Sequence, residues 1–178
     1  MASLKEVKTR IASVNSTRKI TSAMKMVASS KLHHAQQAIE SMRPYEHQLS
    51  HIMSTFVANM EGSIESAYAG SREIKRVAIV VYTSNSSLCG AFNANVVKAF
   101  NHKLDDYKKA GIEVVKVYAL GKKAADAVAK VGFNNPTDYS TLLDHPSYKK
   151  ASDIATEIMD LYTTGQIDKA ELIYHHFK

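Results

Sequence analysis

Two hydrophobic periods divide this chain. From Leu4 the apolar residues recur every three or four positions: Leu4, Val7, Ile11 and Val14, then Ile20, Met24 and Val27, then Ala35, Ala38, Ile39 and Met42. That is the spacing of a helix face. Lys, Ser, Thr and Gln fill the other positions, and neither Gly nor Pro interrupts the run before Pro44. The spacing predicts a helix of roughly 60 Å at about 1.5 Å per residue, far longer than an ordinary globular helix. At Arg43–Pro44 a kink or restart is expected, because proline lacks an N–H and disfavours helical angles in the residue before it. Helical spacing then resumes through Tyr45, Leu49, Ile52, Met53, Phe56 and Met60.

Beyond a connector over 61–74, marked by Gly62, Gly70 and several Ser, the period changes. Val77–Tyr82 (VAIVVY) is a continuous β-branched apolar run, the pattern of a strand buried on both faces, as in a parallel sheet. Thr83–Asn95 reads as loop, with Gly90 near a helix start, and Ala94–Ala110 as helix. Ile112–Leu120 reads as a second strand, and Lys122–Val131 as a short helix ended by Gly132. Phe133–Thr141 is turn-rich with room for a short strand, Ser147–Thr164 is a helix closed by Gly165, and Ala170–Phe177 is a last strand. Strands alternating with helices give an α/β fold with a largely parallel sheet. The organisation expected is a long coiled-coil-forming helix over 1–60, a connector over 61–74, and an α/β domain over 75–178. Because the sequence stops one residue after an apolar run, the α/β domain is expected to be incomplete and the chain to be a fragment.

A stripe as long as that of the first helix has to lie against something. Burying six of its larger side chains at about 1.5–3 kcal/mol each would contribute on the order of 10–15 kcal/mol. No other segment of the sequence offers a stripe of matching length, so the expected partner is another chain or a part of the parent protein outside these 178 residues.

Composition narrows the classes. With 45% hydrophobic and 22% charged residues the chain is globular rather than disordered. One Cys excludes an internal disulfide. No apolar run approaches the ~18 residues of a membrane span, and MASLKEV lacks the apolar core of a signal peptide. The net charge of +6 is localised. Residues 1–31 hold Lys5, Lys8, Arg10, Arg18, Lys19, Lys25 and Lys31 against Glu6 alone, and the remainder of the chain is neutral. A basic helix suits nucleic acid, an anionic membrane or an acidic protein surface, and equally a solvated face. The lack of any aromatic residue before Tyr45 argues against stacking on single-stranded nucleic acid. The lack of Trp, Phe and dense Leu argues against a membrane-surface helix.

Candidate chemistry is sparse. Cys89 lies between a strand and a helix, where a helix dipole could favour a thiolate, but no His or Asp stands near it to serve as base. It is expected to be an unreactive thiol. Thr83–Gly90 (TSNSSLCG) sits where α/β folds bind phosphates, yet it has one Gly and no phosphate-binding Lys, so neither ATP nor NAD is expected to bind. His33–His34 and His175–His176 are adjacent in sequence and diverge in direction; His47 and His51 share a helix face but read as exposed polar residues rather than a metal site.

At Lys8–Leu32 (KTRIASVNSTRKITSAMKMVASSKL) the sequence resembles the N-terminal helix of the gamma-subunit family of F-type ATP synthases. Arg43-Pro44-Tyr45, Lys75-Arg76-Val77, the turn Leu88-Cys89-Gly90, and Asn93 and Asn95 fit the same family in order along the chain. The resemblance implies a rotor: an antiparallel coiled coil of first and last helices inside a ring of alpha and beta subunits, with a Rossmann-like domain that binds no dinucleotide. It implies partners in the alpha and beta subunits, the epsilon subunit and the membrane c-ring, with no catalytic residue, cofactor, metal or nucleic acid. It also implies a peripheral place at the cytoplasmic face of a bacterial plasma membrane, since Met1 is not preceded by a transit peptide. The residues expected to work against the head are Lys8, Arg10, Arg18, Lys19, Ile20, Thr21, Ala23, Met24, Lys25, Met26 and Val27, the family's beta subunits carrying an acidic loop there. Two positions depart from the family pattern: Lys25 stands between two Met where an acidic residue is common, and Asn85-Ser86-Ser87 stands where Asp-Arg-Gly is common.

An alternative of another class is an α/β enzyme with a Cys89 nucleophile and a helical oligomerisation arm. The long basic stripe favours the rotor, since such an enzyme has no need of it. The stripe also predicts that this chain by itself frays over its first ~40 residues or self-associates weakly through Leu4–Val27, more strongly as salt screens Arg18 and Lys25.

Overall fold

The computed structural model describes residues 3–59, 68, 72–133 and 139–176. The chain divides into two compact units, Met1–Ile64 and Glu65–Lys178.

Among its described residues the first unit forms one helix, α1 (Leu4–Asn59), of 56 residues, with no buried residue among them. A reciprocal capping box starts it: Ser3 Oγ accepts from Glu6 N at 3.4 Å, and Glu6 Oε2 accepts from Ser3 N at 3.3 Å. The restart expected at Pro44 does not occur, and α1 runs through it unbroken. Proline removes one intrahelical bond, the one that the Glu40 carbonyl would have accepted, and at an exposed position water can take its place.

The second unit begins with β1 (Arg76–Tyr82) and α2 (Phe92–Lys109), followed by β2 (Glu113–Leu120) and α3 (Lys122–Lys130). It continues with α4 (Ser140–Asp144), α5 (Tyr148–Thr163) and β3 (Lys169–Ile173). The sheet is parallel with order β2-β1-β3. Its centre, β1, serves two cores at once, as a strand side chain alternates in direction. Val77, Ile79 and Val81 join Val96, Phe100 and Tyr107 of α2 and Ala124 and Val128 of α3. Ala78 and Val80 join Leu142 of α4, Ile154 of α5 and Ile167. The α/β expectation is therefore met, as helices covering both faces of a parallel sheet.

Helices α2, α3 and α5 end alike. The residue after each C′ glycine donates back to the carbonyl five residues earlier, as from Ile112 N to Tyr107 O at 2.9 Å. Two segments differ from expectation. The last strand stops at Ile173 rather than Phe177, because its partner β1 pairs no further than Val81 with Ile173. Residues 174–176 leave the ladder, and Phe177 lies outside the described residues. In the stretch expected to be turns with a short strand, Ser140–Thr141 already belong to α4, while residues 134–138 lie outside the described set. Most of the connector over 61–74 lies outside it too.

Candidate functional site

The eleven residues singled out between Lys8 and Val27 all lie on α1, and all are exposed. They do not share a face. At about 100° per residue the run Lys19–Val27 turns more than twice around the axis, so these side chains form a collar. Arg18, Thr21 and Lys25 fall together beside Val14 and Thr17 along one shallow groove. Ile20, Met24 and Val27 lie about 130° round the axis from Arg18, Thr21 and Lys25, on the flank that adjoins Thr17. The apolar stripe is likewise not one line. From Val14 to Ile20 the direction rotates by about 240°, which carries the stripe from one side of α1 to another.

Between those arcs stands Asn15-Ser16-Thr17-Arg18-Lys19, which has no apolar side chain. Thr17 Oγ1 donates to Ser13 O at 3.0 Å, and just beyond the segment Thr21 Oγ1 donates to Thr17 O at 2.9 Å. A back-bonded threonine presents its methyl outward and needs no further partner, so it can be covered at little desolvation cost. Among the described residues, Lys8, Arg10, Arg18, Lys19 and Lys25 form no ion pair.

The second candidate region is the loop after β1. It lies at the carboxyl ends of the strands, beside the β1–β3 switch point where α/β sheets bind ligands. Here several backbone donors are already taken by the chain's own side chains. Thr83 Oγ1 accepts from Ala124 N at 2.8 Å and Asn85 Oδ1 from Lys122 N at 3.1 Å, so both side chains occupy N–H groups of the first turn of α3. Asn93 Oδ1 accepts from Ser84 N at 2.9 Å, and Asn85 Nδ2 donates to Ser140 O and to Asp144 Oδ2. Gly121 (φ +108°) permits this closeness, since a Cβ there would stand 2.4 Å from Thr83 O. The loop is a clasp joining β1, α3 and α4, and its capped amides are not available as a phosphate cradle.

Cys89 is half-buried inside that clasp. Asn93 Nδ2 donates to its Sγ at 3.1 Å, and the Sγ lies 3.6 Å from Ser86 O. Neither imidazole nor carboxylate contacts it among the described residues, which leaves a nucleophile without a base. Leu88 beside it is 99% exposed. No cluster of His, Cys, Asp or Glu among the described residues could hold a metal ion, and no helix there is long and apolar enough to cross a membrane. The clasp was not read from the sequence. Its only advance signal is Asn at positions 85 and 93 flanking a turn, and Asn side chains commonly bond nearby backbone.

A family model described as ATP synthase matches residues 3–178. Among curated relatives, the ATP synthase gamma chain of Bacteroides thetaiotaomicron is 54% identical over 178 residues, all of this chain and 59% of the relative. That of Phocaeicola vulgatus is 53% identical over the whole chain and 61% of the relative. That of Flavobacterium johnsoniae is 43% identical over the same shares. The chain thus spans about 60% of the length of the relatives it matches.

Proposed function

The chain belongs to the ATP synthase gamma-chain family, and from that premise we propose that it is part of the central rotor coupling ion flow through a membrane ring to ATP synthesis and hydrolysis in an alpha/beta head. It does no chemistry itself. The observation that carries this reading is α1: a 56-residue helix with no residue buried, bearing apolar arcs on more than one side. A helix enclosed in a ring is touched all round, and the collar of Lys8, Arg10, Arg18, Lys19, Ile20, Thr21, Ala23, Met24, Lys25, Met26 and Val27 suits that better than a one-sided seam would. Its basic members fit the acidic loop that family beta subunits turn toward the rotor.

The α/β unit, with its clasped loop, suits a rigid adaptor toward the epsilon subunit and the c-ring. In this reading the chain lies peripherally at the cytoplasmic face of a bacterial plasma membrane. Nucleic acid has no role in this reading.

The test uses the complete gamma chain, carrying this sequence, in an assembled complex reconstituted in vesicles. The triple substitution Arg18→Glu, Lys19→Glu and Lys25→Glu reverses the collar's charge without touching the α/β core. ATP-driven proton pumping is expected to fall at least tenfold while the complex still assembles. Full pumping by the triple variant would overturn the reading.

A further inference from the structure

We propose that Tyr68 and Arg72 anchor the connector to the end of α5 through Tyr162, and that this anchor passes force between the connector and the sheet. The role in force transfer rests on the rotor reading and names residues of the α/β unit through which the coupling runs. All three residues belong to the second unit, although Arg72 and Tyr162 stand 90 residues apart in sequence.

Tyr162 meets the connector in three ways. Arg72 Nη1 donates to the Tyr162 carbonyl at 2.8 Å. The Arg72 guanidinium also lies over the Tyr162 ring, 4.2 Å from its centre. The Tyr68 ring stacks on the same ring, with centres 5.9 Å apart and planes 13° from parallel. A guanidinium is planar and weakly hydrated, so it can lie on a ring and donate at the same time, whereas an ammonium has no plane to stack.

The need for a cation at this place is visible in α5 itself. Its last turn carries no basic side chain, and Asp160 adds a negative charge where the helix dipole is already negative. Asp160 O accepts from Thr164 N, and Leu161 O accepts from Gln166 N and Ile167 N. Tyr162 O accepts from Gly165 N at 3.1 Å, and its second lone pair takes Arg72. The connector thus supplies the cation that this helix end does not carry.

Tyr162 is held from behind. It is partly buried against the core that Ala78, Val80, Tyr118 and Ile154 form on the α5 face of the sheet. Four residues after Arg72, β1 begins at Arg76. Asp168, just before β3, accepts from Lys75 N at 3.1 Å and from Arg76 N at 2.9 Å. The entry to β1 is therefore fastened twice, first to the end of α5 and then to the turn that follows it. Along the chain, α1 leads to β1 through 60–75. A pull along that stretch reaches Tyr162 before it reaches β1, and the packing of α5 spreads it over a core rather than onto one strand.

Two measurements test this. In the 178-residue chain, Arg72→Ala combined with Tyr68→Ala should make the Thr164 and Gly165 amides exchange about tenfold faster, with those of β1 unchanged. In the complete gamma chain carrying this sequence, assembled and reconstituted in vesicles, the same pair should at least halve the protons pumped per ATP hydrolysed while hydrolysis continues. Arg72→Lys, tested singly, should lower that ratio less than Arg72→Ala. Lys75→Ala, which removes an ammonium paired with Glu73, should leave the ratio as it was. Unchanged exchange at the end of α5 overturns the anchor. Faster exchange with an unchanged ratio overturns its role in passing force, and the rotor reading then stands or falls on the charge-reversed collar alone. A loss of the ratio in Lys75→Ala equal to that of the double variant overturns the assignment to these residues.

Discussion

α1 and β1 are both rich in large aliphatic residues, but they use them in opposite ways. The seven residues of β1 include five buried ones, which serve two cores within the same unit. The 56 residues of α1 bury none. A strand is covered on both faces only if helices return over it, and α2, α3, α4 and α5 do so. A single helix of this length has no such enclosure, so its apolar side chains contribute nothing to stability until another surface covers them. The same residue types are therefore structural in one region and contact-forming in the other.

The largest test of this contrast is truncation of one apolar side chain in each region. Phe100 is fully buried between α2 and the sheet, and Phe100→Ala should cost the α/β unit about 3–5 kcal/mol in denaturant unfolding. Ile11 is 55% exposed, and Ile11→Ala should change the free chain by no more than about 0.5 kcal/mol. Equal losses from the two would show that α1 is covered after all.

A smaller effect probes the clasp. Thr83 is buried, and its hydroxyl accepts from the Ala124 amide at 2.8 Å. Thr83→Val keeps the shape and leaves that amide unsatisfied, at a cost of about 1–3 kcal/mol. Hydrogen exchange should show the first turn of α3 opening before the sheet does. A uniform loss of protection across the unit would mean that the bond does not act locally.

The smallest concerns pH. Burial pushes the Glu171 carboxyl up, but Tyr107, Lys103 and Lys169 all hydrogen-bond or pair with it and together hold it down at about 2, against an ordinary value of 4.5. A depressed carboxylate adds stability that is fully present above the unfolded value and is lost as pH falls through the folded one. Between about pH 4.5 and 2 the α/β unit should therefore lose about 1–2 kcal/mol through this group, allowing for partial solvent screening. Glu171→Gln should remove that part of the slope in acid titration, while the helicity of α1 keeps its pH dependence. An unchanged slope would show that the network does not couple to folding.

Much of this was written locally. The runs from Leu4 and from Val77 announced a long helix and a doubly covered strand, because period 3.6 and continuous β-branched residues each describe how one element meets its own surroundings. Gly132 and Gly165 marked helix ends, since a left-handed residue at C′ is a local requirement. Even the change of side between Val14 and Ile20 is contained in the spacing, though it shows only once the residues are set on a helix. The tertiary structure decided the rest. It shortened the last strand to the length that β1 could pair, made a helix of Ser140–Asp144 where Leu142 found the sheet, and turned Thr83, Asn85 and Asn93 into a clasp. Each of these depends on groups that are distant in sequence: Thr83 caps α3 and Asn85 reaches α4. Periodicity along one element cannot report such partners, because it records that a side chain is covered and not by what.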